Sequence, residues 1–174
     1  MAELSYFRLQ LIVFALVSAA FTNIYITQPV LPILQKEFSV DMVLVSFTVS
    51  AVIFGIAIST LPFGFLADRW PIRPIILAGG VLVAVSGLVC AVTENFWVLI
   101  GARFVQGLFI PSLTTCLAAY LAKTLPVPRL NVVMGSYVSA TVLGGLSSRL
   151  LGGWVHPPLH WRYAFVSASI LTLL

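Results

Sequence analysis

Long apolar segments alternate with short polar connections along this chain, and the pattern predicts membrane-spanning helices. Five apolar segments have at least 19 residues each, and a sixth begins near Tyr163. About 20 helical residues, rising 1.5 Å each, cross the roughly 30 Å hydrocarbon core of a bilayer. The predicted spans are residues 9–34, 42–67, 74–92, 96–122 and 130–154, followed by the partial span 163–174.

The two ends of the chain carry separate expectations. The sixth segment has twelve residues, which reach only about 18 Å, so we expect the chain to stop inside a helix. At the other end, Val17, Ser18 and Ala19 imitate the small-residue cleavage site of a signal peptide. The apolar run continues to Leu34, which is too long for the hydrophobic region of a signal peptide. A retained first span is therefore favoured over cleavage.

The composition agrees with a membrane protein built only from helices. Apolar residues make up 60% of the chain and charged residues 8%, and the mean hydropathy is +1.10. A soluble domain has about a quarter charged residues. The net charge of +4 reflects basic residues concentrated on one side of the membrane, so it does not indicate a nucleic-acid partner.

The distribution of lysine and arginine predicts how the chain is oriented. Cytoplasmic loops of membrane proteins carry an excess of these residues. With the N-terminus inside, the cytoplasmic side holds Arg8, Arg69, Arg73, Lys123 and Arg129, and the outer side holds Lys36 and Arg162. This favours a multi-pass protein of the cytoplasmic (inner) membrane with a cytoplasmic N-terminus. At the span ends, where an interfacial aromatic belt is expected, lie Trp70, Trp97, Trp154 and Trp161.

The second and fifth spans match in one gapless register, which indicates an internal repeat. The matched residues are Val49, Ser50, Ala51, Gly55, Ser59, Leu61 and Gly64 with Val138, Ser139, Ala140, Gly144, Ser148, Leu150 and Gly153. The offset is 89 residues throughout, and it also carries Arg73 onto Arg162. A single domain, 1–174, would then contain repeats at about 7–93 and 96–174. Three spans per repeat invert the second copy, an arrangement found in secondary transporters.

The connection between the second and third spans carries a recognisable motif. It contains Gly64, Asp68, Arg69 and Arg73. The spacing resembles the signature loop of the major facilitator superfamily, although Pro71 replaces its second glycine. The resemblance implies that Asp68 is a conformational latch against a helix of the other half of the transporter. The alternative is an ordinary basic loop that holds the cytoplasmic side.

The first span ends in a motif and carries a polar face. Its sequence QPVLP resembles the end of the first helix in the superfamily branch that exchanges drugs for protons. Ser18, Thr22, Tyr25 and Gln28 recur at helical spacing, with Asn23 beside them. Such a face should contact protein or water. We predict that Asn23, Tyr25 and Gln28 line a substrate cavity, with helix packing as the alternative for the two hydroxyl residues.

Two charged positions lie inside predicted spans. In the fourth, Arg103 and Gln106 share a helix face beside Gly107, and the trio resembles the family's fourth-helix motif. That resemblance implies that Arg103 and Gln106 serve substrate binding or proton coupling. In the fifth, Arg149 occupies the place of uncharged Thr60 in the repeat. We predict that Arg149 faces the seam toward a second half. For both arginines, snorkelling to the interface is the alternative.

The glycines around Arg149 form a third resemblance. The fifth span contains Gly135, Gly144, Gly152 and Gly153, spaced as in the fifth-helix motif of superfamily antiporters. Ser148-Arg149 replaces the Gly-Pro of that motif, so antiport does not follow from it alone. Glycines at helical spacing allow close helix contact, and we predict that role for all four.

The acidic residues limit the coupling chemistry. Glu3, Glu37, Asp41, Asp68 and Glu94 all lie in predicted flanks or loops. No carboxylate therefore lies at the predicted midplane to carry a proton, and a cavity with two arginines should favour neutral or anionic substrates over cations. Neither a cofactor nor a metal site is predicted.

Taken with its motifs, the chain resembles the N-terminal six-helix half of a major facilitator transporter. The resemblance implies alternating access, an exporter branch, and as partners membrane lipid, a small-molecule substrate, protons as one candidate ion, and a separately encoded C-terminal half. One alternative is a truncated gene product without transport activity. Another is an intramembrane serine enzyme, but Ser147 lacks the expected following glycine, and the two histidines, His156 and His160, lie in the outer loop.

Overall fold

The computed structural model describes residues 2–155 and 160–173, of which residues 2–5 and 155 are described by their backbone alone. The described chain is helical. The helices are α1 (Ala2–Tyr25), α2 (Leu31–Phe38), α3 (Met42–Arg69), α4 (Ile72–Val92), α5 (Phe96–Leu113), α6 (Thr115–Thr124), α7 (Val127–Val155) and α8 (Arg162–Leu173), with a 3-10 turn at Gln28–Val30.

The five predicted full spans are confirmed as helical segments that are long and apolar enough to cross a membrane. They are Tyr6–Phe38, Met42–Arg69, Ile72–Val92, Phe96–Thr124 and Val127–Trp154, and a shorter apolar helix follows at Arg162–Leu173. The second span continues two residues beyond the predicted 42–67, so Asp68 and Arg69 belong to its last turn. The final residue of the predicted partial span, Leu174, lies outside the described residues.

Two of the spans are broken helices. The first is interrupted between Tyr25 and Leu31, where Pro29 and Pro32 occupy the first turns of the segments that follow. Proline is compatible with a first turn but cannot donate the hydrogen bond that a helix interior needs. The fourth is interrupted at Thr114, three residues after Pro111. Each break leaves backbone carbonyls in the middle of a span without their usual helical donors.

Two pairs of spans pack along each other, one span of each pair from each predicted repeat. Helix α3 lies along α5, and α7 lies along α1, so the second span of each repeat packs on the first span of the other. Matched glycines make both contacts. A Cβ atom added at Gly55 would lie 2.9 Å from the backbone nitrogen of Leu108, and one at Gly144 would lie 3.0 Å from the Cα of Ser18. Helices α4 and α8 pack on each other behind these pairs.

The surface of the bundle is apolar, as expected for helices in contact with lipid. Leu61, Phe65 and Leu77 are each about two-thirds or more exposed. Trp70, Trp97 and Trp154 are also exposed, in agreement with an interfacial belt, but Trp161 is 1% exposed. The prediction for Trp161 needs correction, because its indole is buried among Phe38, Phe165 and their neighbours instead of facing the interface.

Candidate functional site

Arg103 is fully buried and closes the broken end of α1. Its Nη1 atom donates to the carbonyl oxygen of Asn23 at 2.8 Å, and its Nη2 atom donates to that of Ile24 at 2.9 Å. In a continuous helix these carbonyls would accept from residues 27 and 28. Because α1 ends at Tyr25, the guanidinium supplies the donors. A positive charge is also favourable beside the negative C-terminal end of the helix dipole.

The same guanidinium reaches two further groups. Its Nε atom donates to the carbonyl oxygen of Thr48 in α3 at 3.3 Å, and Nη1 also donates to Oε1 of Gln106 at 2.5 Å. Four hydrogen bonds therefore satisfy most of the five N–H groups of this buried cation. Its contacts are backbone carbonyls, one amide and the ring face of Phe165, 5.8 Å from Cζ. Arg103 thus joins α1, α3 and α5 at one point.

Gln106 and Asn23 extend this network to the remaining helices. The Nε2 atom of Gln106 donates to Oδ1 of Asn23 at 2.9 Å and to the carbonyl oxygen of Val83 in α4 at 3.3 Å. The Nδ2 atom of Asn23 donates to Oγ1 of Thr172 in α8 at 2.8 Å. Arg103 and Gln106 are 0% exposed and Asn23 is 1% exposed. A continuous chain of hydrogen bonds therefore links five helices.

Three of the predicted cavity residues are thus brought together, but they do not line an open cavity. Asn23, Arg103 and Gln106 face one another inside the six-helix bundle, because the break in α1 provides carbonyls that only a buried donor can reach. We call these three residues with Thr172 the buried network. The snorkelling alternative for Arg103 does not hold in this structure, since its guanidinium is enclosed by protein.

Tyr25, which is half-buried, and Arg149, which is exposed, form a second group beside the network. The Cζ atom of Arg149 lies 5.3 Å from the centroid of the Tyr25 ring, a cation–π contact worth about 0.5–1 kcal/mol at an exposed site. Its Nη1 atom donates to the carbonyl oxygen of Gly145 at 3.2 Å. Tyr25 directly follows Ile24, whose carbonyl Arg103 holds. Gln28, partly exposed, begins the 3-10 turn three residues later. We call Tyr25, Gln28 and Arg149 the exposed polar face.

The first half of the polar face on α1 serves helix packing. Thr22 is fully buried, and the single proton of its hydroxyl is shared between the carbonyl oxygens of Ser18, 2.8 Å away, and Gly144, 3.3 Å away. Ser18 donates to the carbonyl oxygen of Ala140 at 3.3 Å. Both hydroxyls therefore bond the backbone of α7, which corresponds to the packing alternative for these two residues.

The four glycines of α7 separate into two pairs. Gly144 lies against Ser18 of α1, and a Cβ atom added at Gly152 would lie 3.3 Å from Cβ of Pro29. For Gly135 and Gly153 no described atom lies within 4 Å of an added Cβ. Here the structure differs from the sequence-based expectation of four contact glycines. The reason is the helical period, since positions 135 and 153 lie on the outer side of α7.

The loop with the signature motif contains an ion pair inside this half. The carboxylate of Asp68 lies 2.6 Å from Nζ of Lys123 at the end of α6, and the same Nζ donates to the carbonyl oxygen of Ala67 at 3.2 Å. Both side chains are at least half exposed. Asp68, predicted to be a latch toward another half, therefore has a partner within its own. Gly64 has open space beside it.

A cluster that the sequence did not reveal ties the opposite ends of the helices. Glu37 at the end of α2 accepts a hydrogen bond from the indole Nε1 of Trp161, and its carboxylate lies 3.3 Å from Nη2 of Arg162 and 3.8 Å from Nε2 of His160. Arg162 also donates to the carbonyl oxygen of Thr93 at 2.9 Å. The 89-residue register matches Arg162 with Arg73 in the sequence, and this match was the signal that could have drawn attention to Arg162.

The described residues contain no serine and histidine placed together as in the active site of a hydrolytic enzyme. Ser148 is buried and donates to the carbonyl oxygen of Gly145 in its own helix at 2.7 Å. His160 lies against Glu37, and His156 is outside the described residues. Within residues 2–155 and 160–173, no group of three or more His, Cys, Asp or Glu side chains is placed to hold a metal ion.

Comparison with known proteins gives one consistent result. The family model of the Major Facilitator Superfamily matches residues 13–174. An uncharacterized MFS-type transporter of Bacillus subtilis, YybF, is 28% identical over 166 residues, which cover 94% of this chain and 41% of that protein. The drug efflux pump JefA of Mycobacterium tuberculosis is 27% identical over 147 residues, covering 84% of this chain and 29% of the pump.

A solved structure agrees with these relatives at the level of fold. The proton:xylose symporter XylE bound to 6-bromo-6-deoxy-D-glucose superimposes with a TM-score of 0.85 at 16% identity, covering 97% of this chain and 42% of the symporter. At that identity the match shows the fold alone. This chain therefore spans about two-fifths of the length of YybF and of the symporter.

Proposed function

Because the chain belongs to the Major Facilitator Superfamily of transporters, we propose that it acts as the N-terminal half of a secondary exporter that works by alternating access. In this mechanism two six-helix halves rock against each other around a site near the bilayer midplane. The whole-transporter activity requires the second half. The proposal has three parts, which are the rigidity of this half, the position of its substrate face, and the direction of transport.

The single observation that carries the proposal is the buried network. Rocking between two halves needs each half to move as one body, and a break within the first span would weaken this half. Arg103 bonds both carbonyls at the break and joins α1 to α3 and α5. Gln106 and Asn23 add α4 and α8. The network therefore supports the proposal that this half moves as one rigid body despite its discontinuous helix. Discontinuous helices are typical of transporter sites.

The exposed polar face is the proposed substrate surface. Tyr25 and Arg149 offer an aromatic ring and a cation beside the rigid break, and Gln28 adds an amide. The chain contributes no carboxylate from the middle of its predicted spans. A cation entering this surface would meet Arg149 without a compensating acid, whereas an anionic or neutral aromatic molecule would find a complementary surface. We therefore propose neutral or anionic substrates.

Export is the proposed direction. The similarity to a drug efflux pump supports it, as does the resemblance of QPVLP and of the glycines in α7 to exporter motifs. If protons drive the export, a carboxylate must come from the second half, since Arg103 and Gln106 are engaged with each other and with the backbone.

A fusion protein tests the proposal. The chain replaces the matched 41% of the Bacillus subtilis relative, and proteoliposomes then carry either the fusion or the 174-residue chain alone. We expect the fusion to transport an anionic fluorescent dye faster than a cationic dye of similar size, and the chain alone to transport neither. Transport by the chain alone would contradict the need for a second half. Faster transport of the cationic dye would overturn the proposed substrate class.

A further inference from the structure

An apolar groove lies on the surface of the helix bundle, between α3 and α4. Its volume is about 340 Å³, and α5 closes its floor through Phe109. The remaining lining residues are Phe63, Leu66, Trp70, Pro74, Ile75, Ala78, Gly79 and Leu82. Trp70 and Pro74 mark the end of the groove at the membrane surface, because α3 ends at Arg69 and α4 begins at Ile72. From Pro74 to Leu82 it extends about 12 Å along α4.

Two arginines stand at the surface end of this groove. Arg69 directly precedes Trp70, and Arg73 directly precedes Pro74. Both side chains are exposed. The nearest acid in sequence, Asp68, is held by Lys123 at 2.6 Å. No described carboxylate oxygen lies within 4.0 Å of the guanidinium nitrogens of Arg69 or Arg73, so neither arginine forms an ion pair with a described residue.

We propose that this groove binds an anionic glycerophospholipid, with one acyl chain along α4 and the headgroup phosphate held by Arg69 and Arg73. Guanidinium groups bind phosphate oxygens through paired N–H donors, and basic residues at the end of a membrane helix attract anionic lipids. Trp70 has the amphipathic ring that suits the boundary between headgroup and acyl chain. The apolar walls and the unpaired cations therefore match two parts of one molecule.

The charge at the surface end selects this occupant over others. The acyl chain of a zwitterionic phospholipid would fill the walls equally well, but its headgroup would bring a cation beside the two arginines together with its phosphate. An apolar helix of another protein would leave both arginines without an anion. The groove also lies apart from the exposed polar face, since its walls belong to α3, α4 and α5, whereas Arg149 and Tyr25 lie on α7 and α1. Lipid binding is thus independent of the proposed substrate site and can be measured without transport.

Quenching of Trp70 fluorescence by brominated lipids tests the proposal on the full 174-residue chain. Trp97→Phe and Trp154→Phe remove the other two exposed indoles, and Trp161 stays buried. Bilayers contain brominated phosphatidylglycerol or brominated phosphatidylcholine at equal mole fraction. The test variants are Arg69→Gln/Arg73→Gln and Ala78→Phe, which fills the groove. Arg8→Gln is the matched control, because Arg8 is an exposed arginine outside the groove.

We expect phosphatidylglycerol to associate with the groove more tightly than phosphatidylcholine, by about fivefold for each arginine. The double arginine variant should lose this preference, Ala78→Phe should lower quenching by both lipids, and Arg8→Gln should change neither. Equal quenching by the two lipids in the parent protein would overturn the proposal, as would a preference that survives in the double variant. Absence of quenching by either lipid would mean that protein covers the groove, which also overturns it.

Discussion

The Nη1 atom of Arg103 lies 2.8 Å from the backbone oxygen of Asn23, so a cation in α5 holds the broken end of α1. The proline-rich segment that follows Tyr25 prevents α1 from continuing. Without a donor, the carbonyls of Asn23 and Ile24 would be buried and unpaired. The arginine that the fourth-helix motif suggested for substrate coupling thus has a structural partner in this half.

Replacing Arg103 by methionine should destabilise the fold strongly. The change removes the donors of two buried carbonyls, each worth about 1–3 kcal/mol when left unsatisfied, so we expect a loss of about 2–6 kcal/mol in the free energy of unfolding. An SDS titration of the protein in mixed micelles, followed by circular dichroism, measures this loss.

Arg149→Met is the matched control for this experiment. Arg149 is exposed, donates to its own helix and contacts one half-buried ring, so its removal should cost less than about 1 kcal/mol. Equal losses for the two variants would contradict the assigned role of Arg103. Arg103→Lys should lie between parent and methionine variant, because lysine keeps the charge but has fewer donors than the guanidinium fork.

The sequence located Arg103 and Gln106 but not their surroundings. Helical spacing places the two on one face of α5, and that information is local. The partner of this face is a set of main-chain oxygens, which carry no sequence signature. The carbonyls became available because of a helix break eighty residues away in sequence from Arg103. Only the packed structure shows that the polar face of α5 points into the bundle.

The sequence predicts the fold better than it predicts the contacts of the site, for physical reasons. Span positions depend on apolar length, which the sequence shows directly, and all five full spans agree with the structure. Gly55 and Gly144, which the 89-residue register matches, each lie against the backbone of a neighbouring helix. Contacts between polar side chains that lie far apart in the sequence could not be predicted. Lys123 and Glu37 bind partners 55 and 124 residues away, and no local pattern links such positions.

Alanine substitutions in α7 should separate contact glycines from exposed ones. A methyl group at Gly144 would lie 3.0 Å from the Cα of Ser18 and closer still to its carbonyl oxygen. Overpacking of this kind costs about 1–3 kcal/mol, so Gly144→Ala should lower the free energy of unfolding by that amount. Gly135→Ala has open space and should be neutral or stabilising by up to about 1 kcal/mol. Similar destabilisation by both substitutions would refute the assigned contact.

The ion pair between Asp68 and Lys123 should contribute little to stability. Both side chains are at least half exposed, and exposed pairs contribute about 0.2–1 kcal/mol. A double-mutant cycle with Asp68→Asn and Lys123→Gln should give a coupling energy in this range, and it should fall in high salt. A coupling well above 1 kcal/mol that persists at high salt would contradict an exposed pair.

Glu37 should contribute more to the stability of the fold than its exposed position at a helix end indicates. It accepts from the buried Trp161 and neutralises Arg162, so Glu37→Leu leaves the indole N–H without its acceptor and the guanidinium without its carboxylate. We expect a loss of about 1–3 kcal/mol in unfolding free energy, measured by the same titration. Glu37→Gln retains an acceptor oxygen and should lose less. If the leucine variant is as stable as the parent, the cluster does not hold the helix ends together.

The central claim is that Arg149 faces a water-filled path between this half and a second one. Cysteine accessibility in the fusion with the Bacillus subtilis relative measures this directly, after Cys90→Ala and Cys116→Ala remove the native thiols of this half. Arg149→Cys and Leu150→Cys lie at the same depth and point about 100° apart around α7. A membrane-impermeant thiol reagent should modify the cysteine at position 149 and leave the one at position 150 unmodified. Modification at 150 without modification at 149 would place Arg149 toward lipid and contradict the account.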